Sequence, residues 1–255
     1  MSQCGLPPDL QTPQQYKTDS TNMVGEAQIV RLEAGSRSSV PRKLALNTEI
    51  LRKVAFDAND YPLAVIAIAG PSQSDNSFML TCVVRYLQAL ERAGDRNVGD
   101  WMHKNKPDII TKDEGFEFRN RVDQTAEGIW MWTRPFIIKR FETESPIAVV
   151  VMATQGCFDP RTNEQDQFSI IGLSLLLSSC FIYNDTRLIN ENTVSTLTQF
   201  MHYGQVASQP FEGKAFQRLL FLIRNCNASG FNHGAVFGSI YLEITLFKRV
   251  ITNEL

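Results

Sequence analysis

Tyr61-Pro-Leu-Ala-Val-Ile-Ala-Ile-Ala-Gly70-Pro-Ser-Gln-Ser-Asp-Asn-Ser77-Phe-Met-Leu-Thr-Cys-Val-Val-Arg-Tyr-Leu87 is the stretch on which the reading of this chain turns. Leu63 to Ala69 is an unbroken apolar run of β-branched and small residues, which suits a strand buried on both faces. Phe78, Leu80, Val84 and Leu87 recur at helical spacing. Strand, eight-residue polar loop and helix is the context of a phosphate-binding loop. Its pattern, G-x-x-x-x-G-K-[ST], would place glycines at 70 and 75, lysine at 76 and serine at 77. Gly70 and Ser77 are kept, while Asp75 and Asn76 stand where the second glycine and the lysine belong. The frame of a nucleotide site is present and its main cation is missing. Taken alone, the segment reads equally well as a plain strand–helix turn.

The 255 residues suffice for one large α/β domain with a sizeable core. Apolar residues at 43% and charged residues at 20% are ordinary globular composition. A formal net charge of −2 supplies no field for nucleic acid or anionic lipid. Cys4, Cys82, Cys157, Cys180 and Cys226 are scattered, with no C-x-x-C pair, so inert thiols in a reducing compartment are expected. From the polar start no signal peptide is expected. The longest apolar run, Ile170 to Tyr183, is broken by Gly172 and serines and is too short for a bilayer span of ~20 residues. Direct membrane insertion of this chain is therefore not expected.

Outward from the central stretch, residues 1–25, rich in Pro, Gln, Ser and Thr, read as a disordered leader, and 26–255 as the folded domain. Gln28 to Leu32 is a short strand, and Asn47 caps a helix running to about Phe56. Residues 91–115 read as an exposed loop. Gly128 to Ile138 reads as strand, with an edge or bulge at Pro135. A second buried strand, Ile147 to Met152, is expected to stop at Ala153, where the loop Ala153-Thr-Gln-Gly156 begins. A helix from Gln167 to Ser179, a short strand Phe181 to Tyr183, an amphipathic helix Asn190 to Tyr203 and a buried strand Leu219 to Arg224 follow. Alternating buried strands and helices predict an α/β fold, a mostly parallel central sheet in a three-layer sandwich, with Leu63–Ala69, Ile147–Met152 and Leu219–Arg224 adjacent in it.

In open α/β sheets, ligands bind at the carboxyl ends of the strands. Those ends carry Gly70–Ser77, Ala153–Gly156 and Arg224–Asn225. In order and spacing these segments resemble the large dynamin-like GTPases of the atlastin and guanylate-binding protein group, over roughly residues 26–245. Gly115-Phe-Glu-Phe-Arg119, Gly128-Ile-Trp-Met-Trp132, Thr154-Gln-Gly156 with Phe158-Asp159, Ile182-Tyr-Asn184, Gln199-Phe200 with Tyr203-Gly204, and Leu222-Ile-Arg224 all look like that group's text. The resemblance implies a P-loop NTPase-type fold, a GTP ligand and a Mg²⁺ ion.

It also implies roles that this chain departs from. The P-loop lysine would fall on Asn76 and a cis arginine finger on Gln73. A switch threonine that holds Mg²⁺ and orients water would fall on Ala126, an aspartate near the metal on Ala153, and the guanine-reading aspartate on Asn225. No catalytic residue is intact, since Gln73, Asn76, Ala126 and Ala153 are all degenerate positions. The vestigial nucleotide-binding set is Gly70, Pro71, Ser72, Gln73, Ser74, Asp75, Asn76, Ser77, Phe78, Gln155, Gly156, Arg224 and Asn225, with Ser77 the Mg²⁺ residue if any metal is held and no cofactor at all as the alternative. Asn76 offers dipoles where a full charge would face phosphate, and Asp75 adds an anion and a Cβ. An arginine finger is worth ~10³–10⁵ in rate, and Gln73 has no charge to supply.

Blander roles compete elsewhere. Trp130 and Trp132 alternate, which suits sheet packing. His103, His202 and His233 make no metal-spaced cluster. Cys157 has no activating base. Arg119 and Asp166 match the group's positions and read as surface salt bridges, and Ser174, Ser178 and Ser179 as small packing residues. After Arg224 the group continues through a guanine-capping loop, stalk and membrane spans. A chain ending at Leu255 reads as C-terminally incomplete, either a shortened relative or a partial gene model.

The leading expectation is a pseudo-GTPase that acts by protein interaction, dimerising through its G-domain face with itself or an active relative, with GTP binding weak or lost. The alternative is a slow GTPase of the atlastin type, involved in organising the endoplasmic reticulum membrane. A third reading is another anion or nucleotide at the surviving loop. The resemblance implies a cytoplasmic location, at the cytosolic face of that organelle through a partner.

Overall fold

The computed structural model describes residues 24–33, 42–71, 75–94, 98, 101, 115–116, 127–139, 145–155, 163–186, 193–195, 198–199, 202, 206 and 218–225. Strands β1 (Glu26–Glu33) and β2 (Lys43–Leu46) precede helix α1 (Thr48–Asp57), strand β3 (Leu63–Ala69) and helix α2 (Asn76–Ala93). Then come β4 (Gly128–Trp132), β5 (Phe136–Lys139), β6 (Pro146–Gln155), helix α3 (Glu164–Leu177), β7 (Cys180–Thr186) and β8 (Arg218–Arg224).

All eight strands join one sheet in the order β2-β1-β4-β6-β3-β7-β8, with β5 paired to β6. The half β6-β3-β7-β8 is parallel, as the buried runs and intervening helices predict. The half made by β2, β1, β4 and β5 is antiparallel. β8 lies beside β7 rather than beside β3, and it is half exposed rather than buried. As the outer strand of the described sheet it has only one described neighbour.

β4 and β5 are one broken strand. Met131 pairs with Met152 and Phe136 with Val149, so five positions on one strand span three on the other. The excess is taken up around Pro135, which has no N–H to donate to the ladder. On β5 the Ile137 amide donates to Glu91 of α2 at 2.8 Å, and Glu91 also pairs with Arg134, so an outward-facing amide is satisfied.

Alternation along the strands makes the three layers. Val65, Ala67, Ile129, Met131, Val150 and Met152 face α1 and α3, meeting Val54, Ile170, Ile171 and Leu175. Ile68, Trp132, Val149, Val151 and Ala153 face α2, meeting Leu80, Val84 and Leu87. Each Val, Leu, Ile or Met side chain among them, fully buried, contributes ~1.5–3 kcal/mol. Trp130 and Trp132 both lie on the α2 face, and Trp132 packs 5.8 Å from Phe116 with its indole N–H buried and without a hydrogen-bond partner among the described residues. Asn47 caps α1 by accepting from the Ile50 amide at 3.3 Å, and Asn163 caps α3 by accepting from Gln165 at 2.8 Å. At Gly128, φ is +137° and a Cβ would run into the Val30 carbonyl oxygen, so glycine is required where β4 meets β1. Gly25, at the boundary of the expected leader, is tied to the sheet by hydrogen bonds with Thr133.

β6 runs through to Gln155 instead of stopping at Ala153. Its pairing with parallel β3 ends at Ile68 opposite Ala153, but β4 continues the ladder, with Ile129 opposite Thr154 and Gly128 opposite Gln155. The expected loop residues Ala153, Thr154 and Gln155 therefore belong to strand.

Candidate nucleotide site

Parallel pairing brings the carboxyl ends of β6, β3, β7 and β8 to one edge of the sheet. β3 delivers a fully buried chain at Ala69 and Gly70, and α2 begins at Asn76. Asp75 sits between them at φ 48°, ψ 42°, the left-handed region, and its side chain makes no capping bond to α2. This is where the pattern asks for glycine, and the backbone keeps the glycine-type turn although a Cβ is present. Aspartate is among the few side chains that tolerate it. Asn225, just after β8, is left-handed as well, at φ 53°.

The Asn76 side chain is engaged within the protein. Its Nδ2 donates to the Gly70 carbonyl at 3.3 Å, and its Oδ1 accepts from Asn184 Nδ2 at 2.8 Å. Asn184 lies near the end of β7 and is fully buried. Its Oδ1 accepts from Arg224 Nε at 3.0 Å, and Arg224 Nη2 lies 3.5 Å from Asp75 Oδ2. Thus Gly70, Asp75, Asn76 and Arg224 are brought together as expected. Asn184 joins them, although the sequence marked it only as part of a recurring string.

The other expected residues are placed less centrally. Ser77 and Phe78 are half-buried in the first turn of α2, where the Ser77 carbonyl accepts from Thr81 Oγ1 at 2.9 Å. Ala153 is 2% exposed among the residues facing α2. Thr154 turns to the other face and donates to Ser174 Oγ at 2.8 Å, so Ser174 serves as a buried hydrogen-bonding residue. Pro71 is half-buried beside Gly70. Ser72, Gln73, Ser74, Ala126 and Gly156 lie outside the described residues, as does the side chain of Gln155.

A second polar cluster lies next to the expected switch position. Arg42 pairs with Glu127 and Asp166, each at 2.7 Å. Asp166, expected in a surface salt bridge, is 7% exposed in the first turn of α3, so its pair with Arg42 is largely buried on the carboxylate side. Burial pulls the Arg42 pKa down, but its bonds to Asp166 and Glu127 outweigh this and the value is raised. Burial pushes the thiols of Cys82 and Cys180 up, which disfavours thiolate chemistry at both. A cavity of about 1030 Å³, bordered by Phe168, Leu173, Leu176, His202 and Val206, lies along α3 and includes none of the loop residues.

Residues 41–252 match the sequence model of the guanylate-binding protein N-terminal domain. The chain belongs to this family. It is similar to Atlastin-3 of Mus musculus, at 30% identity over 231 residues, which is 90% of this chain and 41% of that protein. It is similar to Atlastin of Drosophila melanogaster at 29% over 219 residues, covering 85% of this chain and 39% of that protein. With Atlastin-1 of Rattus norvegicus the identity is 30% over 200 residues, 78% of this chain and 33% of that one. It is thus an atlastin-like guanylate-binding-type G domain, and it spans about two fifths or less of the length of these relatives. In this G domain, among the described residues, no helix is long and apolar enough to cross a membrane.

Proposed function

We propose that this G domain is a pseudo-GTPase that works by protein interaction, through its G-domain face with a second copy or an active relative, and that its GTP binding is weak or lost. One observation carries the reading. At the P-loop lysine position, Asn76 carries no charge and spends both halves of its amide on Gly70 and Asn184. The nearby cation, Arg224, faces the Asp75 carboxylate. This donor set does not fit a magnesium-bound triphosphate, because an anion stands at the loop and a methyl group, Ala153, stands where a metal-side carboxylate would be. Charge-assisted contacts of ~1.5–3 kcal/mol each are replaced at Asn76 and Asn225. Losing ~3–6 kcal/mol weakens affinity by roughly 10²–10⁴-fold. Association with the cytosolic face of the endoplasmic reticulum would then come through the partner.

The test is phosphate release by the wild-type chain beside an active family member, with thermal melting in millimolar GTP and Mg²⁺. The expected outcome is no release above background and little or no rise in melting temperature, since a ligand stabilises by RT ln(1 + [L]/Kd). A large, Mg²⁺-dependent, guanine-specific rise would favour the second reading, a slow GTPase of the atlastin type acting on endoplasmic reticulum membrane organisation. That reading is supported by Ser77 in the first turn of α2 and by the glycine-type turn kept at Asp75.

A further inference from the structure

The contacts around the loop run in one direction and close on themselves. Arginine has only donors, so Arg224 requires Asn184 to present its oxygen. The Asn184 Nδ2 must then point to Asn76, which presents its own oxygen and is left with an amide group to donate to the Gly70 carbonyl. Donors and acceptors are assigned uniquely from β8 through β7 to the end of β3. Asp75, next to Asn76 in the chain, faces Arg224 and completes the ring. The Asp75 side chain is 63% exposed, so its ion pair is weak, and the amide relay through the fully buried Asn184 dominates.

We propose that this ring is an internal brace that ties the start of α2, at Asp75 and Asn76, to the ends of β3, β7 and β8 without a ligand. In a loop with lysine and glycine at these positions, order comes in part from the bound anion. Here the side chains of Asn184 and Arg224 supply it, and Asp75 and Asn76 are the residues that receive them. The brace makes this edge of the sheet constitutively ordered. It is a property of the ligand-free chain and holds or fails separately from GTP affinity.

Hydrogen exchange of the ligand-free chain tests it. Asn76→Ala is compatible with a helix terminus and removes the central link. It is expected to speed amide exchange at least tenfold in residues 79–82, the first hydrogen-bonded amides of α2, and also to speed exchange in residues 218–225. A merely local effect on α2 would leave 218–225 unchanged, and that result would overturn the proposal. Asp75→Asn, which keeps tolerance for the left-handed turn, is expected to move the same two segments by a smaller factor. A cycle joining Asn76→Ala with Arg224→Ala should show coupling of at least fivefold in the local opening constants. Additive effects would count against the brace. Should Arg224→Ala not fold, Asp75→Asn takes its place in the cycle, and additivity there would be read in the same way.

Discussion

Asn184 Nδ2 lies 2.8 Å from Asn76 Oδ1 and joins β7 to the first residue of α2. Lysine has three donors and no acceptor. Asn76→Lys would therefore restore the P-loop cation and at the same time leave the buried Asn184 donor facing an ammonium group. A loss of ~1–3 kcal/mol is expected, the cost of an unsatisfied buried donor. It should appear as a lower denaturant midpoint at unchanged slope. Phosphate release should stay at background, because phosphoryl transfer also needs the charge and water positioning absent at Gln73, Ala126 and Ala153. Recovery of family-like rates from this one change would show that those positions are misassigned.

Val149 is 5% exposed and packs on the α2 face beside Phe136, its partner on β5. Val149→Asp places a carboxylate in an apolar layer with no cation among the core residues around it. The variant should lose its cooperative thermal transition, whereas Val149→Ala should melt cooperatively at a lower temperature. Calorimetry of both variants separates a charge effect from a packing effect.

Thr154 and Ser174 share a buried hydrogen bond that pins α3 to the end of β6. Thr154→Val keeps the shape and removes the donor, so a cost of ~1–2 kcal/mol is expected. Adding Ser174→Ala should cost little more, because the orphaned hydroxyl goes with it. Equal and additive losses in a double-mutant cycle would show that the two hydroxyls act independently.

Local patterns carried most of the fold. The apolar run Leu63–Ala69 is β3 to the residue, the Asn47 cap starts α1, and Pro135 marks the break between β4 and β5. Those features depend on neighbours in the chain. The end of β6 was not legible, because its last residues stay extended through pairing with β4 rather than through their own preference. The half-exposure of β8 depends on its place in the sheet order, which an apolar run does not encode. At the site, the residues at positions 70, 75, 76 and 224 followed from the loop pattern and the resemblance. The Asn184 relay and the Arg42–Glu127–Asp166 cluster did not, because hydrogen bonds between residues 40 to 124 positions apart leave no spacing to read.

The last expectation concerns alkaline pH. Tyr183 is 2% exposed on β7, with its ring 6.1 Å from Phe221. Burial, and next the charge of Asp185, push its pKa well above the usual tyrosine value, and a hydrogen bond with Thr193 offsets part of this. In the unfolded chain the phenol ionises near ~10. Above that pH the unfolded state has released a proton that the native state still holds, so stability falls as pH rises. Below ~10 the contribution is fully present, and each unit above it costs up to ~1.4 kcal/mol until the folded group itself ionises. Cys82 and Cys180 shift in the same direction, so the whole-protein slope is not specific to Tyr183. The difference between wild type and Tyr183→Phe is specific, since the thiol contributions cancel. Denaturant midpoints measured from pH 8 to 11 should decline less steeply in Tyr183→Phe, even though that variant starts lower by the lost bond to Thr193. Parallel declines would mean that Tyr183 ionises alike in the folded and unfolded chains.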